Sequence, residues 1–152
     1  MIFITKSPEE TKELGAKIAK KLDTGKVKRA FIAMRGEMGV GKTAFTSGFA
    51  AHFGISGVKS PTYAVMNQYG RGTNTKIYHF DMYRIKDEDD LYSIGYDDYV
   101  EADGFAIVEW SENIEYAIPE DAIYVTIERM AEDENYRQIT VRGGIFNEDT
   151  CI

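Results

Sequence analysis

The chain has 152 residues, 43% of them hydrophobic, enough for one domain with a real core, expected to span residues 1–152, and too few for a separate substrate lobe. No stretch approaches the ~20 apolar residues of a membrane span, Met1–Lys6 lacks the layout of a signal peptide, and the single cysteine, Cys151, excludes an internal disulfide and a thiolate zinc cluster, so a cytoplasmic protein is expected. Net charge is −7 but uneven, with nine basic against four acidic residues over 1–35 and two against seventeen over 86–135; such a chain is not expected to hold RNA or DNA by itself, and any RNA connection should run through a partner protein.

In chain order, Ile2–Thr5 reads as a first strand, and Ser7-Pro8-Glu9-Glu10 supplies an N-cap Ser, a proline at the first helical position and a Glu three residues after the cap. The helix that follows carries Leu14, Ile18 and Leu22 at four-residue spacing, with Lys12, Lys17, Lys20 and Lys21 elsewhere, so it should bury that stripe and end near Gly25. Ala30–Met34 is a short apolar run of the kind a buried strand needs, and Lys42–Phe53 reads as a helix closed at Gly54, with His52 as a surface or packing residue. After Ser60-Pro61-Thr62-Tyr63, the runs Ala64–Tyr69 and Thr75–Asp81 read as a hairpin around Gly70–Asn74. Asp87-Glu88-Asp89-Asp90 opens a short acidic helix, whose negative residues suit a helix N-terminus, and Gly95 is expected to close it. Phe105–Val108 is a second strongly apolar run, delivering Glu109-Trp110 at its end. Ile123–Glu128 and Tyr136–Arg142 alternate as a second hairpin around Ala131–Asn135, and the last half-dozen residues are expected to fray. The predicted fold is α/β in three layers, P-loop NTPase-like, with a mixed central sheet to which antiparallel hairpins are appended.

Gly36-Glu37-Met38-Gly39-Val40-Gly41-Lys42-Thr43 fills every fixed position of the pattern G-x-x-x-x-G-K-[ST]. The glycines let the backbone curl so that successive N–H groups face phosphate oxygens, and the following helix N-terminus adds its partial positive charge. Lys42 reaches the β- and γ-phosphates and Thr43 ligates magnesium. A nucleoside triphosphate with Mg2+ is therefore expected. Phosphoryl transfer then needs the metal held and the nucleophile positioned, which demands a carboxylate at the C-terminal end of a neighbouring buried strand. Two residues qualify, Glu109 after Phe105–Val108 and Asp81 after Ile77–Phe80, and the pattern does not choose between them. Thr62, fixed by the preceding proline, is a candidate switch residue sensing the γ-phosphate.

Taken in order, Gly36–Thr43, Ser60-Pro61-Thr62-Tyr63, His79-Phe80-Asp81-Met82-Tyr83-Arg84 and Glu109-Trp110-Ser111-Glu112 resemble the TsaE (YjeE) family, bacterial P-loop ATPases of tRNA threonylcarbamoyladenosine biosynthesis. Thr11 and Leu14-Gly15 resemble that family's N-terminal pattern more weakly. The resemblance implies an ATPase, weak alone and activated by partners, that joins the TsaB and TsaD proteins. These install threonylcarbamoyl on the tRNA adenosine next to the anticodon, so tRNA is met only through the complex. The implied nucleotide set is Thr11, Gly36, Glu37, Met38, Gly39, Val40, Gly41, Lys42, Thr43, Ala44, Thr62, Trp110 and Arg137 with ATP as ligand; Thr43, Asp81 and Glu109 are implied at Mg2+, and Lys42, Asp81 and Glu109 in catalysis. Glu37 stands where Asp is common, and Ala44 where a second Thr is common, which removes one hydroxyl from the α-phosphate side.

Two other readings compete. A small P-loop kinase would carry a lid of clustered arginines, whereas Arg71, Arg84, Arg129, Arg137 and Arg142 are scattered; the guanine signatures N-K-x-D and D-x-x-G of a GTPase do not occur. A non-hydrolysing nucleotide sensor stays open, because intrinsic turnover in such proteins is very slow without an activating partner.

Overall fold

The computed structural model describes residues 1–61 and 64–152. Its elements are β1 (Ile2–Thr5), α1 (Pro8–Thr24), β2 (Arg29–Arg35), α2 (Lys42–His52), β3 (Met66–Tyr69), β4 (Ile77–Asp81), α3 (Glu88–Ser93), α4 (Tyr96–Glu101), β5 (Gly104–Glu109), a 3-10 segment (Ser111–Ala117), β6 (Ile123–Met130) and β7 (Asp133–Arg142). The strands form one sheet in the order β1-β7-β6-β2-β5-β4-β3. β6, β2, β5 and β4 are mutually parallel, while β7 and β1 extend one edge and β3 the other in antiparallel fashion. All six residues of β5 and Phe31–Met34 of β2 are buried, which explains why these two strands read as continuous apolar runs instead of alternating ones: helices cover both of their faces.

On one face α1 and α2 lay Ile18, Leu22, Phe45 and Phe49 over Ile32, Met34, Ile77, Phe105 and Ile107. On the other, Leu91, Tyr96 and Ile114 cover Phe31, Ala33, Phe80 and Val108. The three layers and mixed sheet agree with the predicted class. Phe45 and Phe49 have no exposed surface, and burying each contributes about 2–3 kcal/mol of apolar transfer. α1 starts as its sequence predicts: Ser7 Oγ accepts the Glu10 N–H, Pro8 opens the helix, and Glu10 accepts the Lys6 N–H at 2.7 Å. α2 seats on α1 by backbone contact. A Cβ on Gly48 would stand 1.9 Å from Lys12 O and one on Gly15 2.2 Å from Phe45 O, so only glycine lets the helices approach this closely. No helix among the described residues is long and apolar enough to cross a membrane.

The structure departs from the sequence expectations in three places. Gly95 does not simply end the acidic helix; at φ +72° it is the N-cap of α4, an element the pattern did not suggest. Ser111–Ala117 forms the 3-10 segment where no element was expected. The second hairpin turns at Ala131 and Glu132 alone, because β7 already begins at Asp133, and a register shift falls between Arg129 and Met130. At the C-terminus, Asn147–Thr150 closes a hydrogen-bonded turn and Ile152 packs against the core.

Candidate nucleotide-binding site

The glycine loop leaves the end of β2, which lies between the parallel strands β5 and β6, and enters α2. Gly36 sits at φ +143°, where a Cβ would lie 2.5 Å from Ile127 O, and Gly41 at φ +124°. Neither position accepts another residue without strain. Gly41 is the N-cap of α2 and brings no side chain to the first helical turn, so the N–H groups there have no side-chain cap. An uncapped helix N-terminus opening out of a glycine loop has the N–H groups and dipole that suit an anion.

Three neighbours hold the loop. Arg129 on β6 donates Nε–H to Glu37 at 2.5 Å and Nη2 to Gly39 O at 3.3 Å, and Arg137 on β7 donates Nε–H to Val40 O at 2.7 Å. Arg129 and Arg137 stand directly opposite each other in the β6/β7 ladder. Like charges in that position normally repel; here the loop carbonyls and the Glu37 carboxylate absorb both. From the α1 side, Thr11 is buried, its Oγ1 2.8 Å from that of Thr5, and its Cγ2 lies 3.8 Å from where a Cβ of Gly41 would be. Met38 is 74% exposed and Val40 buried at the base of the loop.

Lys42 is only 5% exposed. Its Nζ donates to Gly36 O at 2.5 Å and Glu37 O at 3.3 Å, and lies 4.9 Å from the centroid of the Trp110 ring. Thr43 and Ala44 follow, half-buried in the first turn of α2. Trp110 adopts a left-handed conformation, φ +55°, unusual for a bulky side chain, and packs its ring 5.0 Å from that of Tyr83. Beside it opens a cleft of about 170 Å³ whose walls include Met38, Pro61, Val65 and Asp81. A roomier cavity of about 630 Å³ lies at the opposite edge of the sheet, beside Lys28, Lys76 and Gly104. Ligand chemistry in parallel α/β sheets sits at the C-terminal strand ends, so the loop edge is the relevant one.

Across from the loop, β4 and β5 pair Asp81 with Glu109. Both acids singled out from sequence thus stand side by side. Glu109 is 5% exposed, and its Oε2 lies 2.8 Å from Nε2 of the fully buried His79. Asp81 accepts the Tyr83 N–H at 2.9 Å. Burial pushes the Asp81 carboxyl above its ordinary range; the Glu109 charge pushes the same way, while the Tyr83 N–H, His79 and Lys42 pull down.

Sequence reasoning missed three participants: His79, Thr5 and Arg129. His79 had a readable signal, since it lies two residues before Asp81 and therefore on the same strand face. His52, by contrast, packs at the surface with Nε2 2.9 Å from Asp23, as expected. Thr62 and Tyr63 lie outside the described residues.

Comparison with known proteins gives the lineage. Residues 5–139 match the family described as Threonylcarbamoyl adenosine biosynthesis protein TsaE. The tRNA threonylcarbamoyladenosine biosynthesis protein TsaE of Bacillus subtilis is 37% identical over 137 residues, 90% of this chain and 81% of that protein. The protein of the same name from Haemophilus influenzae is 37% identical over 125 residues, 82% and 77% respectively. The crystal structure of Bacillus subtilis YdiB superposes with a TM-score of 0.75 at 28% identity, covering 94% of this chain and 84% of that one.

Proposed function

The chain belongs to the TsaE family of tRNA threonylcarbamoyladenosine biosynthesis, and from that premise we propose that it binds ATP with Mg2+ and hydrolyses it as a subunit acting on a TsaB–TsaD complex. The observation that carries this reading is the convergence of an uncapped, glycine-entered helix N-terminus with Lys42 on one side and the adjacent Asp81 and Glu109 on the other. Phosphate oxygens take the free N–H groups of the loop and of the first turn of α2. Lys42 exchanges the carbonyls of Gly36 and Glu37 for the β- and γ-phosphates, gaining an ionic partner in place of neutral ones.

Among the described residues no group of three or more His, Cys, Asp or Glu side chains could hold a metal ion alone. Thr43 in the first turn of α2 and the paired carboxyls of Asp81 and Glu109 suit magnesium, which is held by one or two protein oxygens together with substrate phosphates. Burial and the neighbouring Glu109 charge both raise the Asp81 carboxyl, and a bound cation would offset both. When bound, the ion neutralises charge on the transferring phosphoryl group. Glu109, kept from bulk water and next to Asp81, orients the attacking water. Trp110 forms a wall of the site and reports occupancy by its fluorescence, and Thr62 senses the γ-phosphate, so that ATP and ADP forms offer TsaB and TsaD different surfaces.

Phosphate release, measured with ATP or GTP, with and without magnesium and with and without purified TsaB and TsaD, tests the reading. Release is expected with ATP and magnesium in the full mixture. Rapid turnover without partners, or none in any mixture, would shift the assignment to a kinase or a sensor.

A further inference from the structure

Glu109 is held by a residue for which glycine-loop chemistry has no use. β4 and β5 are parallel and in register, pairing His79 with Ile107 and Asp81 with Glu109. Alternation along each strand puts these four side chains on the face covered by α1 and α2, where Ile77 and Ile107 form part of the core. From there His79 reaches diagonally along the sheet, and its Nε2 stands 2.8 Å from Glu109 Oε2 with the two side chains 0% and 6% exposed. An aliphatic residue at this place would pack against the same isoleucines without the cost of burying a ring with two polar atoms. The imidazole is therefore informative about what its neighbour needs.

The ring's hydrogen bonding also favours one tautomer. An ionised carboxylate only accepts, so Nε2 must carry the proton in this contact. Nδ1 is buried without a partner among the described residues, and an orphaned acceptor is less rare in proteins than an orphaned N–H. A proton on Nε2 that faces Glu109, with Nδ1 left as an acceptor, suits both observations.

We propose that His79 is a positioning residue for Glu109: its Nε2–H pins one carboxylate oxygen so that the other acts at the nucleotide site in a single orientation. The proposal rests on the reading of Glu109 as the residue that orients water. Donors that fix the ligands and bases of such sites from behind are worth about 10–100-fold in activity.

Isosteres separate positioning from packing. Gln carries its side-chain N–H where His carries Nε2, and Asn carries it where His carries Nδ1. With TsaB and TsaD present, His79→Gln is expected to keep kcat within about threefold, and His79→Asn to lose about 10–100-fold with ATP affinity, followed by Trp110 fluorescence, unchanged. Equal losses in the two variants, or losses that track weaker ATP binding, overturn the proposal. NMR of the imidazole nitrogens in the nucleotide-free wild-type protein gives a second readout that needs neither turnover nor a folded His79 variant. An Nε2–H tautomer whose shifts move in Glu109→Ala supports the contact, and an Nδ1–H ring or one blind to Glu109 refutes it. Full turnover in Glu109→Gln would remove the reading underneath, whereas an inactive Glu109→Gln beside a normal His79→Asn would remove the role of His79 alone.

Discussion

In the loop wall of the site, Gly36–Thr43, the groups offered to a ligand are mostly backbone N–H groups, whereas in the facing wall, Asp81 and Glu109, they are side chains from two strands that meet only through the sheet. The loop wall tolerates variety wherever its side chains point outward, as at the exposed Met38, and tolerates no Cβ at Gly36. The carboxylate wall has ordinary strand backbone and depends on what hangs from it. Backbone-built walls therefore fail through conformation, and side-chain-built walls through chemistry.

The sharpest contrast is expected at Glu109. Glu109→Gln keeps shape and removes charge, so hydrolysis in the presence of TsaB and TsaD should fall about 10²–10³-fold while ATP affinity stays within about twofold. Full turnover in that variant would take Glu109 out of the catalytic set. Lys42→Ala probes a side chain that the loop wall does depend on. Losing a buried charge-assisted contact costs about 2–5 kcal/mol, so calorimetric titration should show ATP affinity weakened by about 30-fold or more. Micromolar binding by a folded Lys42→Ala protein would break the phosphate-loop assignment.

Gly48→Ala tests whether the loop wall rests on the seating of α2, at a position far from any ligand. The added methyl must displace Lys12 O, 1.9 Å away, at a cost of about 1–3 kcal/mol or more. The urea midpoint should drop accordingly and nucleotide affinity with it, because α2 carries Lys42 and Thr43. An unaltered midpoint would contradict the close approach of α1 and α2.

The smallest effect belongs to Asp81. Its carboxyl is raised chiefly by burial, so the folded protein binds that proton more tightly than the unfolded chain does. The corresponding stability is fully present below the ordinary value of 3.8 and is lost as pH rises through the folded-state value. Asp81→Asn keeps the acceptor for the Tyr83 N–H and escapes the loss. The melting temperature of the nucleotide-free variant should exceed wild type by about 1–3 °C at neutral pH, a gain that fades as the pH falls toward the ordinary carboxylate range. A difference that grows on acidification would reverse the sign argued here.

Much of this molecule was legible before any coordinates. Ser7-Pro8 and Gly25 bracket α1 because capping is a local property, and the Gly36–Thr43 pattern names its own conformation. Gly95 was misread because a left-handed glycine between two short acidic helices looks, in sequence, like one that merely stops the first. The acidic stretch Glu132–Glu134 reads as a loop; Asp133 enters β7 because its pairing with Met130 of β6 supplies what its own propensity does not. His79, lodged in Ile77-Tyr78-His79-Phe80, reads as part of an apolar run; its spacing from Asp81 is a local signal, but its partner Glu109 stands thirty residues away on another strand.

The amino-acid sequence by itself determined the α/β class, the phosphate loop, both candidate acids and the family resemblance, because each depends on contiguous residues whose backbone angles, caps and side-chain types act over a few positions. Only the tertiary structure decided that β2 lies between β5 and β6, that Asp81 stands beside Glu109, that His79 grips the latter, and that Arg129 and Arg137 meet on the loop from the outside. These are facts of strand order and register, set by the burial of two whole sheet faces. A one-residue slip in a register would turn every side chain of that strand to the opposite face, a choice made by the summed packing of the core and not by any short segment within it.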